Sequence, residues 1–370
     1  MRPHLLVTND FPPKIGGIQN YLWELWRRLP PDATTVLTTP HRAAAPFDAS
    51  QPMRIVRTRE PVLLPHARLA GHIRALAGEV GAEIVLLDPA LPLGAVGPRL
   101  GMPYGVVLHG AEVTVPARLP GLSAALARVL RSASLVVSAG GYAAGEASRC
   151  AAVELPVLEI PPGVDTSRFV PLDESSRRDA RACFGLGPGP LVVSLSRLVP
   201  RKGFDIVIEA TALLAERHQG LQLAVVGEGR DRQRLERLAR RYAAPASFLG
   251  RVSDDDVPRA MGMADVFAAP CRSRWAGLEQ EGFGIVFVEA AACGIASVAG
   301  RSGGSHEAVA HGTTGIVVER PADVAEVAAG LDELLSDPRR RADMGAAARS
   351  TSERRFSYDH LAQRLEAALA

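Results

Sequence analysis

Two glutamates, Glu281 and Glu289, stand with seven residues between them, Gly282-Phe283-Gly284-Ile285-Val286-Phe287-Val288. The apolar run after Gly284 reads as a buried strand or as a buried helix start. The alanine-rich continuation, Ala290-Ala291-Ala292, suits the helix, since alanine is the best helix former. A helix beginning near Gly284 aims its free N–H groups and positive dipole end back at the glycines, which makes a site for an anion, most often a phosphate. Glu289 then lies about one turn inside an otherwise apolar helix, where a carboxylate needs hydrogen-bond donors. Sugar hydroxyls are such donors. The pair therefore fits the two ends of a nucleoside diphosphate sugar, one carboxylate on the ribose and one on the hexose. The plainer alternative keeps Glu281 as a loop residue and pairs Glu289 with an arginine.

Other residues carry related chemistry. Arg197 and Lys202 follow the apolar run Leu191–Leu195 on a loop around Pro200. A guanidinium can clamp a diphosphate bidentately and an ammonium adds a compact charge; the commoner fate of such a pair is solvation. His109 ends the apolar run Val106-Val107-Leu108 and precedes Gly110, which points it toward a ligand crevice. Gly16-Gly17 sits between a first strand, His4–Thr8, and a helical stretch, Ile18–Leu29. It would let backbone N–H groups approach a phosphate or a sugar, or it is an ordinary tight turn. Asp254-Asp255-Asp256 is read as a helix start capped by Ser253 in preference to a metal site. There is no HExxH and no CxxC, so no metal is expected. Gly227-Glu228-Gly229 lacks a third glycine and lies deep in the chain, which argues against a dinucleotide oxidoreductase.

These residues need a scaffold. Strand-like runs recur at 34–38, 83–87, 105–108, 135–138 and 157–160, with helical stretches such as 67–80 and 122–131 between them. After a Pro- and Gly-rich connection over 161–190, a second series begins at 191–195 and continues at 222–226, 247–249, 265–268, 296–299 and 315–318. Alternating strands and helices predict parallel sheets. The expected architecture is α/β, with two doubly wound Rossmann-like domains, 1–165 and 166–352, facing each other across a cleft. An amphipathic helix within 353–370 packs back on the first domain. The length of 370 residues, 47% hydrophobic and 22% charged, suits two soluble domains, and a net charge of +2 gives no argument for nucleic acid. Four scattered cysteines read as reduced thiols of a cytoplasmic protein. No signal peptide or spanning run is expected, so any membrane contact is peripheral. Basic clusters at Arg27-Arg28, at Arg54, Arg57 and Arg59, and at Arg339-Arg340-Arg341 read mainly as solvated faces. Attraction to anionic lipid is the lesser reading.

The motifs in order are Pro13-Lys14-Ile15-Gly16-Gly17-Ile18, His109-Gly110, Pro162-Gly163-Val164-Asp165, Ser196-Arg197-Leu198 with Lys202-Gly203, Val226-Gly227-Glu228-Gly229, Glu281-Gly282-Phe283-Gly284 with Glu289, and Ser302-Gly303-Gly304. With them the chain resembles the retaining family 4 glycosyltransferases of GT-B fold, over nearly its whole length. The stretches Leu6–Pro13, Leu195–Gly203 and Ala268–Arg274 are similar to the actinobacterial GDP-mannose-dependent phosphatidylinositol mannoside mannosyltransferases. That branch usually reads His-Gly-His-Glu where this chain has His109-Gly110-Ala111-Glu112.

The resemblance implies a nucleotide-sugar donor, GDP-mannose, and an anionic glycolipid acceptor at a membrane surface, joined by an α-1,6 linkage. It implies no metal cofactor. Arg197 and Lys202 would neutralise the leaving diphosphate, and Gly16 and Gly17 would contact it. Glu281 would hold hydroxyls of the donor sugar, and Gly282, Phe283, Gly284 and Ile285 lie along that subsite. Glu289 would take the ribose, Arg251 and Val252 with Asp254 would line the base pocket, and His109 would contact the transferred sugar. The helix Ile18–Leu29, with Trp23 and Trp26, either helps form the lipid side of the acceptor site or simply packs on the first sheet, and Trp23, off its main stripe, is the better candidate for a membrane contact.

Overall fold

A computed structural model describes residues 1–370, and the chain divides into two units, Met1–Gly163 with Tyr358–Ala370, and Val164–Ser357. The first unit is built on seven parallel strands: β1 (His4–Thr8), β2 (Thr34–Thr38), β3 (Arg54–Arg57), β4 (Ile84–Asp88), β5 (Tyr104–Leu108), β6 (Leu135–Ser138) and β7 (Val157–Glu159). Their spatial order is β3-β2-β1-β4-β5-β6-β7. Every residue of β1, β2, β4 and β5 is buried. Helices cover both sheet faces, so these strands show no alternation of buried and exposed residues, and β2 buries Thr34, Thr35 and Thr38 beside Val36 and Leu37.

Strand β3 carries Arg54 and Arg57 of the basic cluster. It is a half-exposed edge, which an apolar pattern cannot reveal. Both of its arginines are ion-paired, Arg54 at the exposed surface and Arg57 withdrawn from solvent. Arg54 meets Glu79 at 2.7 Å, and Arg57 meets Asp48 at 2.7 Å while donating to the carbonyls of Pro12 and Thr39.

The helix Gly17–Trp26 buries Tyr21, Leu22, Leu25 and Trp26 in one cluster with Leu361 and Leu365 of the C-terminal helix, Tyr358–Ala368, and with Leu369 just beyond it. Arg28 to Asp359 at 2.6 Å and Arg2 N–H to the Leu369 carbonyl at 2.7 Å fasten that helix to the unit. Trp23 does not stand free. Its indole N–H donates to Gln51 at 2.6 Å, and its ring lies between Phe47 and the Arg27 guanidinium.

The second unit has six parallel strands: β8 (Leu191–Leu195), β9 (Gln222–Val226), β10 (Ala246–Gly250), β11 (Val266–Ala269), β12 (Ser297–Gly300) and β13 (Gly315–Val318). Their order is β10-β9-β8-β11-β12-β13, the doubly wound Rossmann arrangement. In both sheets the strand order reverses beside the first strand, between β1 and β4 and between β8 and β11. Ligands of such sheets bind outside the strand carboxyl ends at that reversal. The short turn Ser352–Phe356 stays with the second unit, because Phe356 packs on Phe283, 5.9 Å between ring centroids.

Candidate functional site

At the β8/β11 reversal, two loops are pressed together by a glycine. Gly203 has φ +75°, and a side-chain carbon there would fall 2.2 Å from the Pro270 carbonyl oxygen. The position therefore has to be glycine. The close approach seats Lys202, at the end of the single turn Pro200–Lys202, against the loop after β11. The Lys202 Nζ lies 2.8 Å from Glu281 Oε2, and Arg201 Nε lies 3.4 Å from the same oxygen.

Burial opposes the charge on both groups of this pair, and the pairing outweighs it. The Lys202 pKa is raised by Glu281, and that of Glu281 is lowered by Lys202 and Arg201. Just upstream, Glu279 takes Arg274 at 2.8 Å and Arg201 at 3.7 Å. Arg197, at the exit of β8, is exposed and makes no hydrogen bond or ion pair within the protein.

The helix Ile285–Ala292 begins at Gly284, whose φ of +82° is a left-handed cap. No side chain caps its first turn and no acid lies there. Phe283 is buried and anchors the preceding turn. The Gly304 N–H donates to the Glu281 carbonyl at 3.1 Å, so the glycine loop after β12 supports the same turn. Glu289, on the fifth position of this helix, is partly buried, and its carboxyl group has no hydrogen-bond or ion-pair partner. Burial pushes its pKa up to about 7; Arg168 and Lys202 pull the other way and Asp254 adds to the rise. Arg168 also donates to the Asp254 carbonyl. An oxyanion arriving at Lys202 and Arg201 can replace Glu281 there, and Glu281 is then free to accept from hydroxyls. Glu289 is a carboxylate waiting for donors.

At the β1/β4 reversal of the first unit the chemistry differs. Asp88, fully buried at the end of β4, accepts from the Thr8 hydroxyl at 2.6 Å and from His109 Nε2 at 2.6 Å. Glu112 accepts from the backbone N–H groups of His109 and Gly110. Tyr21 stands edge-on to the imidazole, 5.5 Å between centroids, and donates its hydroxyl to the Ile160 carbonyl. Asp10 accepts from Gln19 at 2.6 Å, and burial and then Asp88 raise its pKa. Burial works against the His109 cation. Asp88, by charge and hydrogen bond, then Glu112 and Asp10, outweigh burial and raise its pKa. Gly16 and Gly17 are exposed at the start of the adjoining helix.

Comparison with known proteins gives this geometry a context. Residues 178–351 match the family model of glycosyl transferases group 1. A Mycolicibacterium smegmatis protein named GDP-mannose-dependent alpha-(1-6)-phosphatidylinositol monomannoside mannosyltransferase is 41% identical over 358 residues, 93% of this chain and 92% of the relative. The chain is a group 1, family 4 glycosyltransferase. A Corynebacterium glutamicum relative, named GDP-mannose-dependent monoacylated alpha-(1-6)-phosphatidylinositol monomannoside mannosyltransferase, is 34% identical over 98% of this chain and 97% of the relative.

Solved structures of low sequence identity share the GT-B fold. Anabaena Alr3699/HepE in complex with UDP superposes with a TM-score of 0.84 at 22% identity, over 100% of this chain and 99% of that one. Sucrose-phosphate synthase from Thermosynechococcus elongatus gives 0.79 at 22% identity, over 100% and 98%.

Within this glycosyltransferase, Lys202 and Glu281 touch, and Glu289 feels the charges of Lys202 and Asp254. Arg197 and Arg251 are exposed near strand ends and contact none of the others, and Val252 packs on the second unit's core. Sequence reasoning missed Arg201, Arg168, Asp88, Thr8 and Tyr21. Only Arg201, adjacent to Lys202 on a loop already singled out, carried a signal. Asp88 ends an apolar strand as His109 does, but a lone aspartate before proline reads as a turn.

Proposed function

We propose that this protein is a retaining mannosyltransferase that moves mannose from GDP-mannose to a phosphatidyl-myo-inositol mannoside, forming an α-1,6 linkage. The observation that carries the donor class is the buried Lys202–Glu281 pair beside the partnerless Glu289. Near-full-length identity to enzymes named for GDP-mannose supports the base and sugar. In the proposed reaction the bond from the anomeric carbon to the diphosphate oxygen breaks, and its electron pair leaves with the phosphate. Arg197, Arg201 and Lys202 take up that charge, which makes a metal unnecessary. The acceptor hydroxyl forms the new bond on the same face, and its proton passes to the departing phosphate. Glu281 and His109 hold the mannose, Glu289 holds the ribose, and Arg251, Val252 and Asp254 border the guanine. The Gly16-Gly17 turn and the helix start from Gly282 through Ile285 supply backbone groups to phosphate and sugar.

What supports a lipid acceptor, besides the relatives' names, is a set of exposed apolar side chains on loops of the first unit. Ile15 is 78% exposed, Val62 52% and Leu64 50%. The two loops that bear them are stitched by Asn9, which bonds the N–H and carbonyl of Leu63, and by Arg57 on the Pro12 carbonyl. Exposed Arg59 and Arg68 flank Val62 and Leu64, a combination that suits a peripheral hold on the inner face of an anionic membrane. No helix is long and apolar enough to cross one.

The test is GDP release by purified protein from GDP-mannose and mannosylated phosphatidylinositol, in the presence and absence of EDTA, with anomeric configuration read by NMR. Release that is acceptor-dependent, EDTA-insensitive and configuration-retaining is expected. Release from UDP-glucose alone would overturn the donor assignment, and inversion would overturn the mechanism.

A further inference from the structure

We infer that Asp88 is a positioning residue for the transfer reaction, holding the His109 ring by Nε2 so that Nδ1 is the ring atom presented to a substrate oxygen. The inference rests on the proposed transfer activity and assigns a role within the same site. Asp88 is fully buried at the β1/β4 reversal, where ligands of such sheets bind. Both of its oxygens are used, Oδ2 by the Thr8 hydroxyl and Oδ1 by His109 Nε2, each at 2.6 Å. An ionised carboxylate only accepts, so Nε2 must carry a hydrogen and donate it. That settles the tautomer of a neutral ring.

His109 Nδ1 has no partner in the protein, and the side chain keeps 11% of its surface exposed. The ring is further fixed by Tyr21 edge-on and by Glu112 on the backbone N–H groups at its base. An Nε2-anchored imidazole offers different chemistry in its two charge states. The cation donates from Nδ1, and the neutral ring only accepts there.

The groups facing the ring bias that choice. Asp88 approaches from β4, Asp10 from the loop after β1, and Glu112 from the helix Ala111–Ala117, while Tyr21 comes from the helix Gly17–Trp26. Lys14 acts on Asp10 from the same loop. Burial disfavours the cation, but the three carboxylates together favour it. Asp88 therefore has two effects through His109: it orients the ring, and it keeps Nδ1–H available as a donor toward higher pH. Replacing Asp88 by asparagine keeps the shape and removes the charge. A carboxamide there can still accept from Nε2–H through its oxygen, so the ring keeps its anchor while the cation loses the charge that favours it, and the Nδ1–H donor disappears at lower pH.

The experiment uses the full-length enzyme with GDP-mannose and lipid acceptor, and compares wild type, Asp88→Asn, His109→Ala and the double variant. Asp88→Asn is expected to lower kcat about 100-fold, to change the KM for donor less than about threefold, and to move the alkaline limb of the pH profile to lower pH. In the His109→Ala background the same replacement is expected to cost less than about twofold, because the positioning residue has nothing left to position. An equal loss in both backgrounds, or an unmoved alkaline limb, would overturn the inference. Imidazole 15N NMR of the wild-type protein reads the same arrangement without turnover. It should report hydrogen on Nε2 and titration above the ordinary histidine range of ~6.5; hydrogen on Nδ1 alone, or titration below that range, would overturn the dyad even if a variant failed to fold. A wild-type enzyme inactive with this substrate pair would defeat the proposed function, while the NMR result would still decide the dyad.

Discussion

The carboxyl edges of the two sheets are built on opposite electrostatic plans. In the first unit Asp10, Asp88 and Glu112 surround one imidazole, with Lys14 the nearby cation. In the second unit Arg201, Lys202 and Arg274 gather around Glu279 and Glu281, while Arg197 follows β8 unpaired and Arg272 pairs with Asp205. The two sheets share the same reversal beside their first strand, so the contrast lies in the residues at the strand ends and in the loops and helix starts that follow them. A diphosphate, doubly charged and desolvated, belongs on the cationic edge, and the acidic edge would repel it. Neutral polyhydroxylated ligands suit the acidic edge, where carboxylates and a donor imidazole can bind hydroxyls. The sequence reading expected a phosphate-style loop in both halves. In the first unit only the backbone at Gly16 and Gly17 remains for that purpose, among acids.

The largest effect should come from breaking the cationic edge. Lys202→Ala should cut kcat by about 100- to 1,000-fold and also lower thermal stability, since Glu281 is left buried without its closest partner. Arg197→Ala should lose about 100-fold in kcat with the melting temperature unchanged, because Arg197 has no partner to abandon. Paired kinetics and calorimetry on the two variants check this split; a stability loss at Arg197 would show a hidden structural role.

A second test separates the two glutamates. The folded-state pKa of Glu289 is raised from 4.5 to about 7. Between these values the unfolded chain has released a proton that the folded one keeps, so stability falls as pH rises through that window. Glu289→Gln should therefore melt higher than wild type at pH 8 and equally at pH 4, while binding GDP at least tenfold more weakly. Donor hydroxyls stabilise the carboxylate, so nucleotide binding to wild type near pH 7 should release a proton, readable by calorimetry in buffers of different ionisation enthalpy. Glu281→Gln should release none of that stability at high pH, because its own pKa is lowered.

The third test concerns the first unit's surface. Ile15→Asp with Val62→Asp should lower binding to vesicles containing phosphatidylinositol by roughly tenfold or more, measured by co-sedimentation, and leave the melting temperature unchanged. Trp23→Ala should instead cost stability, since its ring and N–H are engaged inside the unit. The last effect falls on stability alone, as acid sensitivity of the first unit. His4 is buried and accepts from the Trp26 indole at 3.0 Å, and burial lowers its pKa to about 4. The unfolded chain takes up that proton near 6.5, so about 3 kcal/mol is lost as pH falls from 6.5 to 4. Melting curves of wild type and His4→Asn over that range check it.

The alternation of apolar runs and helical faces made most strands of both sheets legible without coordinates, because strands covered on both sides are dominated by apolar residues. The runs at 34–38, 135–138, 191–195, 222–226 and 315–318 coincide with β2, β6, β8, β9 and β13. The Gly-Phe-Gly start before Ile285–Ala292 was equally legible, since a left-handed cap and an apolar first turn are local demands. Edge strand β3 was not, because its arginines are balanced by Asp48 and Glu79 from elsewhere in the unit. Nor was the partnership of Asp88, Thr8 and His109, which join three strands separated by 80 and 21 residues. Only tertiary structure could decide which carboxylates end up paired. Pairing is set by which strand ends the sheet order makes neighbours, and a linear chain records each residue's chemistry but not its distance from the others.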